Sequence, residues 1–122
     1  YKNNIELYND WISDNQVQSF FMNIDFVVLP YVHASQSGII PLAYGFGKPV
    51  IATRVGGLPE QIVENETGML VTPGNETELA DAILNLLGND VQLEYMKRRC
   101  EEYIINLSWE DSADKLIAGL NE

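Results

Sequence analysis

Ile24-Asp25-Phe26-Val27-Val28-Leu29-Pro30 and Pro49-Val50-Ile51-Ala52-Thr53 are the stretches whose reading decides the fold. Each is almost continuously apolar over the length of a strand. A strand with one wet face alternates, so an unbroken apolar run predicts a strand covered on both faces, which is the habit of parallel sheets. Residues 38–46 between them carry a helical pattern and supply the crossover that parallel pairing needs. Working outward, Gly68-Met69-Leu70-Val71-Thr72-Pro73 reads as a further strand and residues 5–8 as a weaker first one. Helical patterns cover residues 15–23 and a short turn at 59–64. At 76–87, Leu79, Ala82, Ile83, Leu86 and Leu87 keep helical spacing, with the start marked by Asn75 followed by Glu78. Residues 91–105 and 109–120 are expected as two more helices, separated near 106–108, with Ser108 as N-cap. The order β-α-β-α-β-α-β and then three helices is α/β, a parallel sheet with right-handed crossovers and helices on both faces. There is no repeat, low-complexity segment or internal linker.

Composition bounds what such a fold can do. The 122 residues, 46% hydrophobic and 20% charged, suit one soluble domain with one core. Seven Lys and Arg against eighteen Asp and Glu leave −11, which argues against a nucleic-acid binder. The single cysteine, Cys100, allows no internal disulfide and no Cys-based metal cluster, and suits a reducing compartment. No apolar run approaches the ~20 residues of a membrane span. The chain begins at Tyr1 without Met or a leader-like segment, so an excised piece is expected; the compartment expected for the protein is the cytoplasm.

Charge is unevenly spread. Residues 26–59 hold no carboxylate over 34 positions, while carrying Lys48, Arg54, five of the nine glycines and four of the five prolines. A diphosphate site wants such a window, because no carboxylate competes and glycines open backbone N–H groups to a ligand. Buried parallel strands and tight turns are apolar and rich in Gly and Pro on their own account, so composition fits both readings.

Ligands of open parallel sheets lie beyond the carboxyl ends of the strands, which singles out residues 31–37 and 54–58. Both segments lie in the acid-free window and lead into helix starts. The turn at Gly38, Ile39 and Ile40 offers N–H groups without intrahelical acceptors, and Pro41 is tolerated there. Such amides at a positive helix end favour a phosphate. Arg54, Gly56 and Gly57 add a cation and two permissive residues at the same edge. Two such ends side by side point to a nucleotide-type ligand.

Val28-Leu29-Pro30, Ser37-Gly38, Gly47-Lys48-Pro49-Val50-Ile51-Ala52-Thr53, Val55-Gly56-Gly57-Leu58-Pro59-Glu60 and Thr67-Gly68-Met69-Leu70-Val71 occur in an order and spacing that a known family shares. By these segments the chain resembles the C-terminal, donor-binding domain of retaining GT-B glycosyltransferases of the family-4 type. Pro73-Gly74-Asn75 and Ser108-Trp109 add to the likeness, which runs over nearly the whole chain. It implies that residues 1–122 are a partial, Rossmann-like nucleotide-sugar donor domain truncated at its N-terminal side. The acceptor-binding N-terminal domain and the first β-α units, with their phosphate-gripping Arg and Lys, would lie outside it. The implied activity is hexosyltransferase-type transfer from a nucleoside diphosphate sugar, UDP favoured over GDP, with retention, without metal or further cofactor. The implied acceptor is a growing glycan, lipid-linked, which would place the enzyme at the inner membrane face as a peripheral protein.

One departure stands out. The family usually places two Glu eight positions apart around a Gly-Phe-Gly loop. Here the loop is His33-Ala34-Ser35-Gln36-Ser37-Gly38-Ile39, with Ser35 in the first Glu place and Leu42 or Ala43 in the second. A Ser-Gln-Ser-Gly loop resembles that of bacterial surface-polysaccharide (O-antigen or capsule) transferases, and a variant donor site is read here. Glu94, Glu102 and Glu110 repeat the eight-residue spacing on helices, where carboxylates so spaced usually form a solvated face.

The candidate donor-binding residues are therefore His33, Ser35, Gln36, Ser37, Gly38, Ile39, Arg54, Gly56 and Gly57; no catalytic residue is assigned. His33, at a strand's carboxyl end, reaches a sugar or phosphate or else faces solvent. Gln36 and Ser37 suit sugar or phosphate oxygens, and Ser37 also suits a helix cap. Arg54 pairs with phosphate or is simply exposed. Lys48, at a strand's amino end, reads as structural, Cys100 as a packing residue, and Tyr95, Tyr103 and Trp109 as helix-to-sheet packing. Two other classes compete: a nucleotide-sugar epimerase of GT-B layout, and a flavodoxin-like binding or signalling module. The second needs acidic residues at strand ends for magnesium, and the loops after Leu29 and Thr53 have none. The piece alone is expected to be inactive and, with residues 15–23 and the sheet lacking their usual cover, to self-associate.

Overall fold

The computed structural model describes residues 14–120, with side-chain surroundings for residues 17–106. In chain order the elements are α1 (Asp14–Met22), β1 (Val27–Leu29), α2 (Ile39–Gly45), β2 (Val50–Thr53), α3 (Leu58–Gln61), β3 (Gly68–Val71), α4 (Glu76–Leu87) and α5 (Asp90–Leu120). The strands form one parallel sheet in the order β1-β2-β3, with Val27 beside Val50 and Val50 beside Gly68. The strand expected at residues 5–8 lies outside the described residues.

All four residues of β2 are buried, because the sheet is covered on both faces. Val50 and Ala52 join Phe21, Ile40, Tyr44, Leu58 and Cys100 in one cluster. Ile51, between them, joins Val71, Ala82, Leu86 and Met96 in the other. Successive side chains of a strand point to opposite faces, so this alternation of clusters is what an unbroken apolar strand encodes. α1, α2 and α3 serve the first cluster and α4 the second, while α5 contributes Met96 to one and Cys100 to the other. At the start of α4, Asn75 Oδ1 accepts the Glu78 N–H at 2.9 Å, the cap read from the sequence.

Two expectations are overturned. Residues 106–108 do not separate two helices, because the backbone stays helical through them as one element of 31 residues. Nothing from Asn89 to Ala118 is Gly or Pro, and Ser inside a helix is only mildly unfavourable, so a cap-type side chain alone does not end one. Nor is the helix at 15–23 left bare: Phe21 is 3% exposed and stacks on Phe46 with ring centroids 5.1 Å apart. Among the described residues, no helix is long and apolar enough to cross a membrane.

Candidate functional site

Parallel pairing sets the carboxyl ends of β1 and β2 side by side, so residues 30–38 and 54–57 leave the sheet at one edge. Three contacts lock these loops and α3 together. Thr53 Oγ1, buried at the end of β2, donates to the Tyr31 carbonyl at 2.6 Å. The Gly57 N–H donates to the Ser35 carbonyl at 2.6 Å. From α3, Gln61 takes both backbone groups of Ser37: its Oε1 accepts the N–H at 3.0 Å and its Nε2 donates to the carbonyl at 2.9 Å.

Gly56 and Gly57, expected to let a ligand approach, here let the neighbouring loop approach. A Cβ on Gly56, which has φ +52°, would sit 1.5 Å from the Ala34 carbonyl oxygen, and one on Gly57 would sit 2.3 Å from that of Ser35. Only glycine allows backbone to meet backbone so closely. Gly38 is different: its φ is −71° and an added Cβ would meet nothing within 4 Å. The fold does not require glycine at 38.

Val32, His33, Ala34, Ser35, Val55 and Gly56 line an open cleft of about 630 Å³. His33, Ser35, Gln36, Gly38 and Ile39 are exposed, the first two on the cleft wall, whereas Ser37 is buried. Ser37 Oγ accepts the Ile39 N–H at 3.3 Å, so its hydroxyl serves the entry into α2. Arg54 is held by Glu64, Nη2 to Oε2 at 3.2 Å, with both side chains about half exposed. Such a pair contributes only ~0–1 kcal/mol. Its backbone N–H donates to the Val71 carbonyl at 2.8 Å, which ties the base of this loop to β3.

Beneath the loops lies a buried polar network that neither periodicity nor motif indicated. The Tyr44 hydroxyl donates to the Gln61 carbonyl at 3.0 Å and meets the Thr67 hydroxyl at 2.8 Å. Thr67 Oγ1 also accepts the Val63 N–H at 2.9 Å. With the Tyr44 proton on Gln61, Thr67 is left to donate to the Tyr44 oxygen, and each member is satisfied. Burial pushes the Tyr44 phenol well above its usual range, against the bond from Thr67. Cys100 is fully buried with Sγ 3.5 Å from the Thr67 carbonyl, and burial pushes its thiol up to about 12. That is the environment of a packing residue. Tyr103 packs edge-on against Tyr44 with centroids 5.5 Å apart, whereas Tyr95 is 41% exposed and not the packing residue expected.

Comparison with known proteins agrees with this architecture. The family described as glycosyl transferases group 1 matches residues 2–89. A D-inositol 3-phosphate glycosyltransferase of Corynebacterium diphtheriae is 35% identical over 101 residues, which are 83% of this chain and 24% of that protein. Sucrose-phosphate synthase of Thermosynechococcus elongatus shares the fold with a TM-score of 0.73 at 24% identity, over 88% of this chain and 29% of the other. Anabaena HepE, solved in complex with UDP, gives 0.72 at 19% identity over 85% and 30%. The chain thus spans about a quarter of the curated relative's length.

Proposed function

Because this chain belongs to the group 1 glycosyl transferase family, by the match over residues 2–89, we propose that it is the part of such an enzyme that binds a nucleoside diphosphate sugar. The observation that carries the reading is the locked pair of strand-end loops, which brings the carboxylate-free segments 30–38 and 54–57 to one cleft. A diphosphate there meets the exposed backbone of Gly38 at the entry to α2 and draws Arg54 from its half-exposed pair with Glu64, with His33, Ser35 and Gln36 exposed beside it for the sugar. These groups offset the negative charge that grows on the leaving diphosphate as the sugar departs. Gly56 lines the cleft, and Ser37 and Gly57 hold its loops in place. UDP is favoured over GDP; that HepE was solved with UDP supports this choice.

The finer reading is a hexosyltransferase acting with retention on a growing, lipid-linked glycan. The acceptor would be held by a domain beyond these residues, and the enzyme would be peripheral at the inner membrane face. The Ser35-Gln36-Ser37-Gly38 loop supports the surface-polysaccharide branch, whereas the curated relative above is named for D-inositol 3-phosphate. Assay of the whole enzyme with UDP-glucose and each acceptor class separates these branches. Transfer to D-inositol 3-phosphate and not to a lipid-linked glycan would contradict the surface-polysaccharide assignment.

A further inference from the structure

We infer that Gln61 is a positioning residue that sets how tightly the 33–39 loop holds its nucleotide, acting through the backbone of Ser37; this rests on the donor reading above. A carboxamide carries one acceptor and one donor in a plane, the complement of a single residue's N–H and C=O. Gln61 uses both on Ser37, at 3.0 and 2.9 Å, across 24 positions of sequence. Ser37 is 6% exposed, so water cannot take over either group freely. The two hydrogen bonds together fix the orientation of the peptide units on either side of Ser37 and hence the entry into Gly38 and Ile39. Gln61 is itself anchored, because its carbonyl accepts the Tyr44 hydroxyl, which is bonded in turn to Thr67, the residue before β3. The clamp therefore couples α3, α2 and the sheet to the 33–39 loop, most of whose residues are exposed.

The chemistry restricts what can replace it. Asn is too short by one methylene. Leu matches the volume and offers neither bond. Ionised Glu can accept the Ser37 N–H but presents a second negative oxygen to the Ser37 carbonyl, whereas protonated Glu supplies the missing donor. A loop that visits its competent arrangement in a tenth of molecules binds about tenfold more weakly.

The test compares wild type, Gln61→Leu and Gln61→Glu as ¹⁵N-labelled chains, measuring UDP affinity by titration and exchange of the Ser37 amide hydrogen. Gln61→Leu is expected to speed Ser37 exchange and to weaken UDP about tenfold. Gln61→Glu is expected to behave likewise at about pH 7.5 and to bind UDP several-fold more tightly near pH 4.5, where roughly 40% of an ordinary glutamate is protonated. Wild type at the same two pH values corrects for the nucleotide phosphate, His33, Glu60 and Glu64. A merely structural loss predicts no such recovery. UDP binding by wild type with unchanged affinity in Gln61→Leu overturns the inference alone, as does a Gln61→Glu variant that stays folded and shows no recovery on acidification. Failure of wild type to bind UDP overturns the donor reading and this inference with it. If Gln61→Leu fails to fold, the ratio of Gln61→Glu affinities at the two pH values decides.

Discussion

Gly38 and Gly56 sit on adjacent loops under opposite constraints, and that contrast is testable. Gly38→Leu adds a side chain to open space at an ordinary φ, so unfolding free energy in urea should change by less than ~1 kcal/mol. UDP affinity should nevertheless fall about tenfold, since the new side chain stands where a ligand must reach the turn. Gly56→Ala should lose ~2 kcal/mol or more, because the Ala34 carbonyl blocks its Cβ and its φ is positive. Equal stability of the two variants would contradict this division. Cys100 makes a prediction about pH. Burial raises its folded pKa from 9.0 to about 12, so the unfolded thiol ionises first and stability, complete below pH 9.0, is lost as pH rises toward 12. Cys100→Ala should show a shallower alkaline decline in urea unfolding, and a decline identical to wild type would sink the assignment. At this scale the candidate residues were legible in the sequence because glycines and polar groups interrupt an apolar window. What each does was not: Gly56 and Gly57 declare themselves only when Ala34 and Ser35 come to lie against them.

Among the elements, β1 and β2 are legible because continuous apolar runs have few other meanings at that length, and α4 because its cap and its stripe agree. Ser108, chemically a good cap, suggests two helices where α5 is one, and the lack of Gly and Pro across residues 89–118 is the better signal. The link from α2 through α3 to β3 was not legible at all. Tyr44, Gln61 and Thr67 meet across 17 to 23 residues, a separation that local pattern does not register. Tyr44→Phe removes the proton that Gln61 accepts and the oxygen to which Thr67 donates. Leaving buried groups without partners should lower stability by ~1–3 kcal/mol, read by denaturant unfolding. Faster exchange of the Ser37 amide should accompany the loss, because Gln61 then has no anchor. An unchanged Ser37 amide would show that α3 holds the loop without help from α2.

As a whole molecule the chain spans about a quarter of the curated relative it matches, and catalysis between two substrates needs both to be held in register. The 122 residues alone are therefore expected to show no sugar transfer; measurable transfer by the purified chain would refute that. Self-association is expected too. Among the described residues β1 has a sheet neighbour on one side only, and Ile39 and Leu42, one turn apart on α2, are about 40% exposed. A charge of −11 opposes association at long range, but screening at ~0.15 M salt confines that repulsion to about 8 Å. Light scattering at micromolar concentration should give more than one chain's mass, and 13.7 kDa would count against it. The central claim, that the locked loops form a nucleotide diphosphate site, is tested most directly by titrating UDP into the ¹⁵N-labelled chain and following every amide. Shifts that saturate and concentrate at residues 33–40 and 54–57 are predicted. Saturable binding with shifts confined to other elements, or no binding at millimolar UDP, would contradict it.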